Sequence, residues 1–357
     1  MQIGTIVTKF VDTGQDRLIQ EDHQIFFAGS VPHGLDRKPI PNLGGGPTHL
    51  ALSKASNDVT VQRSFSNKPT GTGKFRDFFE KIESYVTIIS GPAIELHHPD
   101  PYPYTFRVVE DGKSDTPFKF RDTLTSRAEI GDLAAKFKDD VIAVIGVGGT
   151  GAYLLDFLVK TPVREIRAFD LDMFYVHNTF RSPGKLDPAE IGHPKADVYL
   201  SRYENFRTGL TVSRKFIDAS CSDELNGVTF AFVSVDKGAS RAGIFDLLIS
   251  KGIPFIDVGM GLDRKRGPLN GMLRTTYYSR EDGQKVRDKG FAELADSADD
   301  LYRTNIQIGE LNALNACLAV IKFKQLRGFY FEEFLYYHLL FEVADLKVVG
   351  NAKIDED

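Results

Sequence analysis

The chain has 357 residues, 42% of them hydrophobic, which is too long for one average domain and enough to bury two cores. Its 44 basic and 49 acidic residues leave a net charge of −5, without the basic excess of a nucleic-acid binder. Cys221 and Cys317 stand far apart and in no CxxC pair, so neither a disulfide framework nor a cysteine zinc site is implied, and the compartment reads as reducing.

The N-terminus, Met1 to Thr5, has no basic segment leading into an apolar one, and nowhere do ~18 apolar residues run together. The expectation is a soluble cytoplasmic protein with neither a membrane nor a nucleic-acid partner. From Met1 to about Phe120 turn formers dominate, as in Val31-Pro32-His33-Gly34, Gly44-Gly45-Gly46-Pro47, Lys68 to Gly73 and His98-Pro99-Asp100-Pro101. Short apolar runs between them, Ile25-Phe26-Phe27 and His49 to Leu52, have strand length. Phe75, Phe78, Phe79 and Ile82 fall at helical spacing and predict a helix over 75–85. Residues 1–122 therefore read as a small α+β domain. Gly44-Gly45-Gly46 lacks a following Lys-Ser or Lys-Thr, so it is a turn and not a P-loop.

Residues 123–357 have another texture. A helix is predicted over 126–138 from Ile130, Leu133, Ala134 and Phe137, and then Val141 to Ile145 is a continuous apolar run. A helix over about 150–160, strands over 163–169, 228–235 and 254–258, and a long helix over 306–326 follow. Phe329 to Val349 reads as strands with an aromatic face. Fully apolar runs separated by helices imply a parallel sheet covered on both faces, a doubly wound Rossmann-like α/β domain.

Gly146-Val147-Gly148-Gly149-Thr150-Gly151 closes the first strand and opens a helix. Glycine at 146 permits a tight turn, at 148 close approach to a phosphate, and at 151 close packing of helix on strand. Backbone N–H groups at the helix start then favour an anion, with Gly149 among them. Asp170 lies 24 residues past Gly146, at the end of the second strand, where a carboxylate can accept from ribose hydroxyls. To this point an NAD-dependent oxidoreductase and an ATP-using enzyme fit equally.

The next residues separate them. Asp170-Leu171-Asp172, then Asn178 and Arg181, resemble the D-x-D and N-x-x-R run of the ThiF-like, ubiquitin-activating superfamily. His193-Pro194-Lys195 resembles that family's Pro-Lys element, and Val235-Asp236 with Arg241 its Asp-Asn segment. The resemblance implies a Mg·ATP-dependent adenylyltransferase acting on the C-terminal carboxylate of a ubiquitin-like protein or peptide, and it implies a homodimer. Gly146, Gly148, Gly149, Gly151, Asp170, Asp172 and Asn178 would then bind nucleotide, with Arg181 and Lys195 on the phosphates and Asp236 on Mg²⁺. Arg127, or Arg121, stands where relatives supply an arginine to the partner subunit's ATP. Singly these residues have plain readings: Arg181 and Lys195 as surface charges, Asp236 as a helix N-cap, Asn178 as a turn former. Five elements in family order across about 100 residues outweigh those readings.

The departures also count. Ser182 stands where the family has glutamine, and Lys237 where asparagine is frequent. From Gly259 to Asn305 there is no cysteine to take a thioester, Cys317 reads as core, and Cys221 reads as an ordinary helix-start position. The chemistry is expected to stop at the acyl-adenylate or to pass it to another protein's thiol. A non-catalytic nucleotide-binding scaffold is the alternative these departures favour. None of the eight histidines forms an HExxH spacing. The N-terminal domain resembles a module preceding ThiF-like domains in bacterial ubiquitin-like gene neighbourhoods, through Phe65 to Pro69 and Lys81 to Val86. It implies recognition or assembly.

Overall fold

The chain forms two units in the computed structural model, 1–113 with 123–129 and 114–122 with 130–357. The structure describes residues 2–9, 11–12, 18–19, 22–51, 60–98, 116–120, 122–128, 130–264, 267–296 and 306–351. Among them no helix is long and apolar enough to cross a membrane.

The N-terminal unit contains β1 (Thr5–Val7), β2 (Val11–Asp12), β3 (Leu18–Ile19), β4 (Gln24–Ala28), β5 (Pro47–Ala51), β6 (Thr60–Ser66), α1 (Phe78–His97) and α2 (Thr123–Ala128). An antiparallel sheet runs in the order β1-β4-β6-β5, and β2 pairs with β3. Asp77 caps α1 by accepting from Glu80 N at 2.8 Å, and Tyr85 and Ile89 carry the helix onto Ile25, Phe27 and Phe65. The helix extends well past the expected end at Tyr85, through Gly91-Pro92, because burial of one stripe outweighs local helix breakers. The predicted helix over 126–138 is corrected to α2, then α3 (Gly131–Ala134) and a 3₁₀ turn (Ala135–Phe137). Ile130 between them is non-helical, at φ −111° and ψ 27°.

In the C-terminal unit β7 (Val141–Ile145), α4 (Gly149–Val159), β8 (Glu165–Phe169), α5 (Val176–Thr179), α6 (Lys195–Tyr203), β9 (Leu210–Ser213), β10 (Phe230–Val233) and α7 (Gly238–Ser250) come first. Then follow β11 (Phe255–Asp263), β12 (Asn270–Tyr278), α8 (Gly283–Asp288), α9 (Gly309–Leu326), β13 (His338–Glu342) and β14 (Lys347–Asn351). One sheet holds them in the order β14-β13-β12-β11-β10-β7-β8-β9. The five strands from β11 to β9 are parallel and the other three antiparallel. All of β7 is buried because Ile142 and Val144 face a core with α4 and α9, while Val141, Ala143 and Ile145 face another with α7. β8 and β9 lie on one side of β7, β10 and β11 on the other. The C-terminal ends of β7 and β10 therefore form the switch point where open α/β sheets bind ligands.

A buried polar network joins α7 to the antiparallel half. Asp257 on β11 is 0% exposed; its Oδ1 accepts from Arg241 Nε at 3.2 Å, and its Oδ2 lies 2.5 Å from Arg274 Nη2 in an ionic contact off the hydrogen-bond direction. Arg274 Nη1 donates to Thr276 Oγ1 at 3.2 Å, and that hydroxyl meets His338 Nδ1 at 2.9 Å. His338 stacks on Phe291 at 3.9 Å, and burial first, with the Arg274 charge second, pushes its pKa down to about 4. In the unfolded chain a histidine titrates near ~6.5. Between those values the unfolded chain binds the extra proton, so stability contributed by neutral His338 is complete above ~6.5 and is lost as pH falls toward 4. Urea unfolding is expected to show about 2 kcal/mol more loss between pH 7 and pH 5 in the native sequence than in His338→Gln. Equal losses would show that His338 is protonated in the folded state.

Candidate functional site

The loop after β7 is built by contacts only glycine permits. Gly146 has φ +89°, and a Cβ there would sit 2.7 Å from Ser234 O, at the end of β10. A Cβ on Gly151 would overlap Gly146 O and Ser234 Oγ, so α4 packs directly on the loop. Gly148 is the N-cap of α4 without a side-chain cap, and a Cβ on it would meet only open space. The first N–H groups of α4 thus begin beside room for an anion.

Asp170 holds this loop in place. Its Oδ2 accepts from Val147 N at 2.7 Å and its Oδ1 from Asp172 N at 2.8 Å, with Lys195 Nζ at 3.6 Å from Oδ1. Each oxygen thus accepts one backbone N–H and keeps a further acceptor site, while Asp172 has 75% of its side chain exposed. Lys195 Nζ lies 2.8 Å from Asp172 Oδ2. A bridge between Met173 and Pro194, with Lys195 N donating to Asp172 O at 2.9 Å, brings the D-x-D and Pro-Lys elements together.

Asn178 is a local organiser. Its Oδ1 accepts from Tyr175 N at 2.8 Å to start α5, and its carbonyl accepts from Arg181 N at 3.1 Å and Ser182 Oγ at 2.6 Å. Among the described residues Arg181 forms no ion pair, and its Nε is buried without a hydrogen-bond partner. An unanswered guanidinium nitrogen costs free energy unless a ligand meets it. Asp236 follows β10 as an exposed residue, 3.4 Å from Gln307 Nε2. The N-cap of α7 is Lys237, so capping is not the role of Asp236. Arg241, read with the Asp-Asn segment, belongs instead to the buried network with Asp257. Arg121 lies outside the described residues, as does the side chain of Arg127.

Two polar residues join the site from far along the chain. Asn312 Oδ1 accepts from Thr150 Oγ1 at 2.8 Å, and a Cβ on Gly149 would overlap Asn312 Nδ2 and Gln307 Oε1. Those two atoms are buried and unpartnered. The signal in the sequence was Asn312 and Asn315 three apart in an apolar helix, both on its buried face. Asn315 is structural, donating to Gly259 O at 3.0 Å and accepting from Thr275 Oγ1 at 3.3 Å.

Both cysteines are free thiols of intermediate burial. Cys221 is half-buried in a 3₁₀ turn (Ala219–Leu225) that Asp218 caps by accepting from Ser220 N at 2.8 Å. Cys317 is half-buried on α9, and burial raises its pKa, which lowers the thiolate fraction. No group of three or more His, Cys, Asp or Glu forms a metal cluster among the described residues. Mg²⁺ needs no such cluster, since one or two carboxylates with substrate phosphates and water complete its shell. An exposed Asp236 fits that donor set.

The parallel strands β11 to β9 with the glycine loop at their switch point define a Rossmann-like α/β domain, and the loop, a helix start, two cations and exposed carboxylates lie in it. The model of the ThiF family matches residues 125–290, and one described as a domain of unknown function (DUF6791) matches residues 1–123. No curated protein matches the chain. Among solved structures, selenomethionine PaaA is 16% identical over 64% of this chain and 78% of its own, with TM-score 0.46. E. coli MccB with AMPCPP and MccA is 15% identical over 62% of this chain and 65% of its own, just under two thirds, with TM-score 0.47. TcdA (CsdL) is 18% identical over 57% of this chain and 92% of its own, with TM-score 0.42.

Proposed function

We propose that the C-terminal unit binds Mg·ATP and adenylates a carboxylate, the C-terminus of a ubiquitin-like protein or peptide, releasing pyrophosphate. The observation that carries this reading is the unpartnered Arg181, held by Asn178 in the segment that abuts the start of α9, which also supplies Asn312 to the glycine loop. Arg181 supplies a planar donor fork to phosphate, and Lys195 exchanges Asp172 for phosphate oxygen. Asp170, whose oxygens each keep a further acceptor site, accepts from ribose hydroxyls, joined by Asp172 once released. Asp236 holds Mg²⁺, which offsets charge on the phosphates when bound.

A substrate carboxylate oxygen forms a bond to the α-phosphorus as the bond to the bridging oxygen breaks, and pyrophosphate leaves with that electron pair. No side-chain base is needed, because a carboxylate is ionised at neutral pH. The residues act by positioning two anions and neutralising their charge. The resemblance to ubiquitin-activating enzymes extends this reading to a homodimer. An oxidoreductase using NAD would leave Arg181, Lys195 and Asp236 without a role.

Calorimetric titration with Mg·ATP and with NAD, followed by ATP–pyrophosphate exchange against peptides with free or amidated C-termini, tests the proposal. Binding of Mg·ATP and exchange dependent on a free C-terminus are expected. Arg181→Ala and Lys195→Ala are each expected to weaken binding or turnover by ~1.5–3 kcal/mol, with folding checked by thermal melting. Unchanged nucleotide affinity and turnover in both variants would remove the phosphate site.

A further inference from the structure

Among the described residues of the N-terminal unit, nothing answers the cation Arg63. Along β6, Val61, Arg63 and Phe65 share one face, and the flanking two are buried. A buried row calls for an apolar residue at its middle. Instead Arg63 stands there, its Nε sealed from water without a hydrogen-bond partner, and it forms no ion pair among the described residues. Beside it lies a recess of about 250 Å³, walled by Val31, Ile40, Leu43 and Phe65 and by the turn Gly44-Gly45-Gly46. Ser64 N and Ser66 N donate to Gly46 O and Leu43 O, at 3.1 and 3.2 Å, and hold that turn on β6. The amides of the three glycines donate to no described residue.

We propose that this recess binds a carboxylate carried on a small apolar group. The Arg63 guanidinium and the glycine amides take the oxygens, and the apolar wall takes the rest. Arg63 is the one charged side chain lining the recess among the described residues, so it balances a single negative charge. A phosphate, with nearly two charges at neutral pH, would leave one uncompensated. At roughly 30 Å³ per water, the volume suits a group of amino-acid size. The terminal residue of a peptide and a free short-chain acid share this chemistry. The proposal is independent of the reading of the C-terminal unit.

Calorimetry on the full chain with N-acetyl-leucine, N-acetyl-leucinamide, isobutyrate and inorganic phosphate tests it. N-acetyl-leucine is expected to bind, with the amide and phosphate about tenfold weaker or absent. Tighter binding of N-acetyl-leucine than of isobutyrate identifies a peptide terminus, and the opposite order a free acid. Arg63→Met is expected to abolish binding while the melting temperature holds or rises, since it removes an unanswered buried donor. Arg63→Lys keeps the charge and part of the affinity, and the acid–amide comparison in the native sequence stands even if Arg63→Met fails to fold. Equal binding of acid and amide, phosphate binding as tight as either acid, retained affinity in Arg63→Met, or no binding of either acid at millimolar concentration would overturn the proposal.

Discussion

Asp257→Ala is expected to destabilise the C-terminal unit by about 3–5 kcal/mol, because it leaves two guanidinium groups inside the protein with no counter-charge. Asp257 is wholly buried, and Arg241 and Arg274 reach it from α7 and β12. Arg241 keeps its bonds to Glu293 O and Val235 O, and Arg274 keeps Thr276, but neither compensates charge. Urea unfolding measures the loss. Asp257→Asn retains an acceptor for Arg241 Nε and is expected to fall between the native sequence and Asp257→Ala, so the comparison survives if the alanine variant does not fold. A change under about 1 kcal/mol in both would show that the cluster carries no net stability. Because Arg241 also donates to Val235 O, loosening the cluster is expected to disturb the adjoining Asp236.

Asp236→Asn is expected to leave stability within about 0.5 kcal/mol of the native value and to reduce ATP–pyrophosphate exchange about a hundredfold. Its carboxylate is exposed, its contact with Gln307 is long at 3.4 Å, and α7 does not use it as a cap. Asparagine keeps the side-chain volume and removes the charge that a hard cation requires. The measurement is exchange with the cognate substrate across a magnesium titration, beside thermal melting of the nucleotide-free protein. Native exchange with native magnesium dependence in Asp236→Asn would end the metal assignment and favour a nucleotide-binding scaffold.

By itself the sequence determined the central strands, the glycine loop and the helix after it. Five consecutive apolar residues from Val141 to Ile145 are what a strand covered on both faces requires, and Gly146 and Gly151 stand where any Cβ would strike a neighbouring backbone. These are matters of local period and short-range turn geometry, which neighbouring residues encode.

Only the tertiary structure decided the rest. In the antiparallel half β12 pairs with its sequence neighbour β11 and β14 with β13, but β13 joins β12 from far along the chain, and no local period specifies that edge. Asp170 accepts from the amides of Val147 and Asp172, one on each oxygen, and so secures the loop, and Lys195 crosses 23 residues to pair with Asp172. Asn312 reaches Thr150 across 162 residues, and Arg241 leaves the expected motif for Asp257, 16 residues on. Each outcome depends on which polar atoms compete for the same partners once the chain has collapsed, and burial makes that competition decisive because an unpaired group can no longer turn to water.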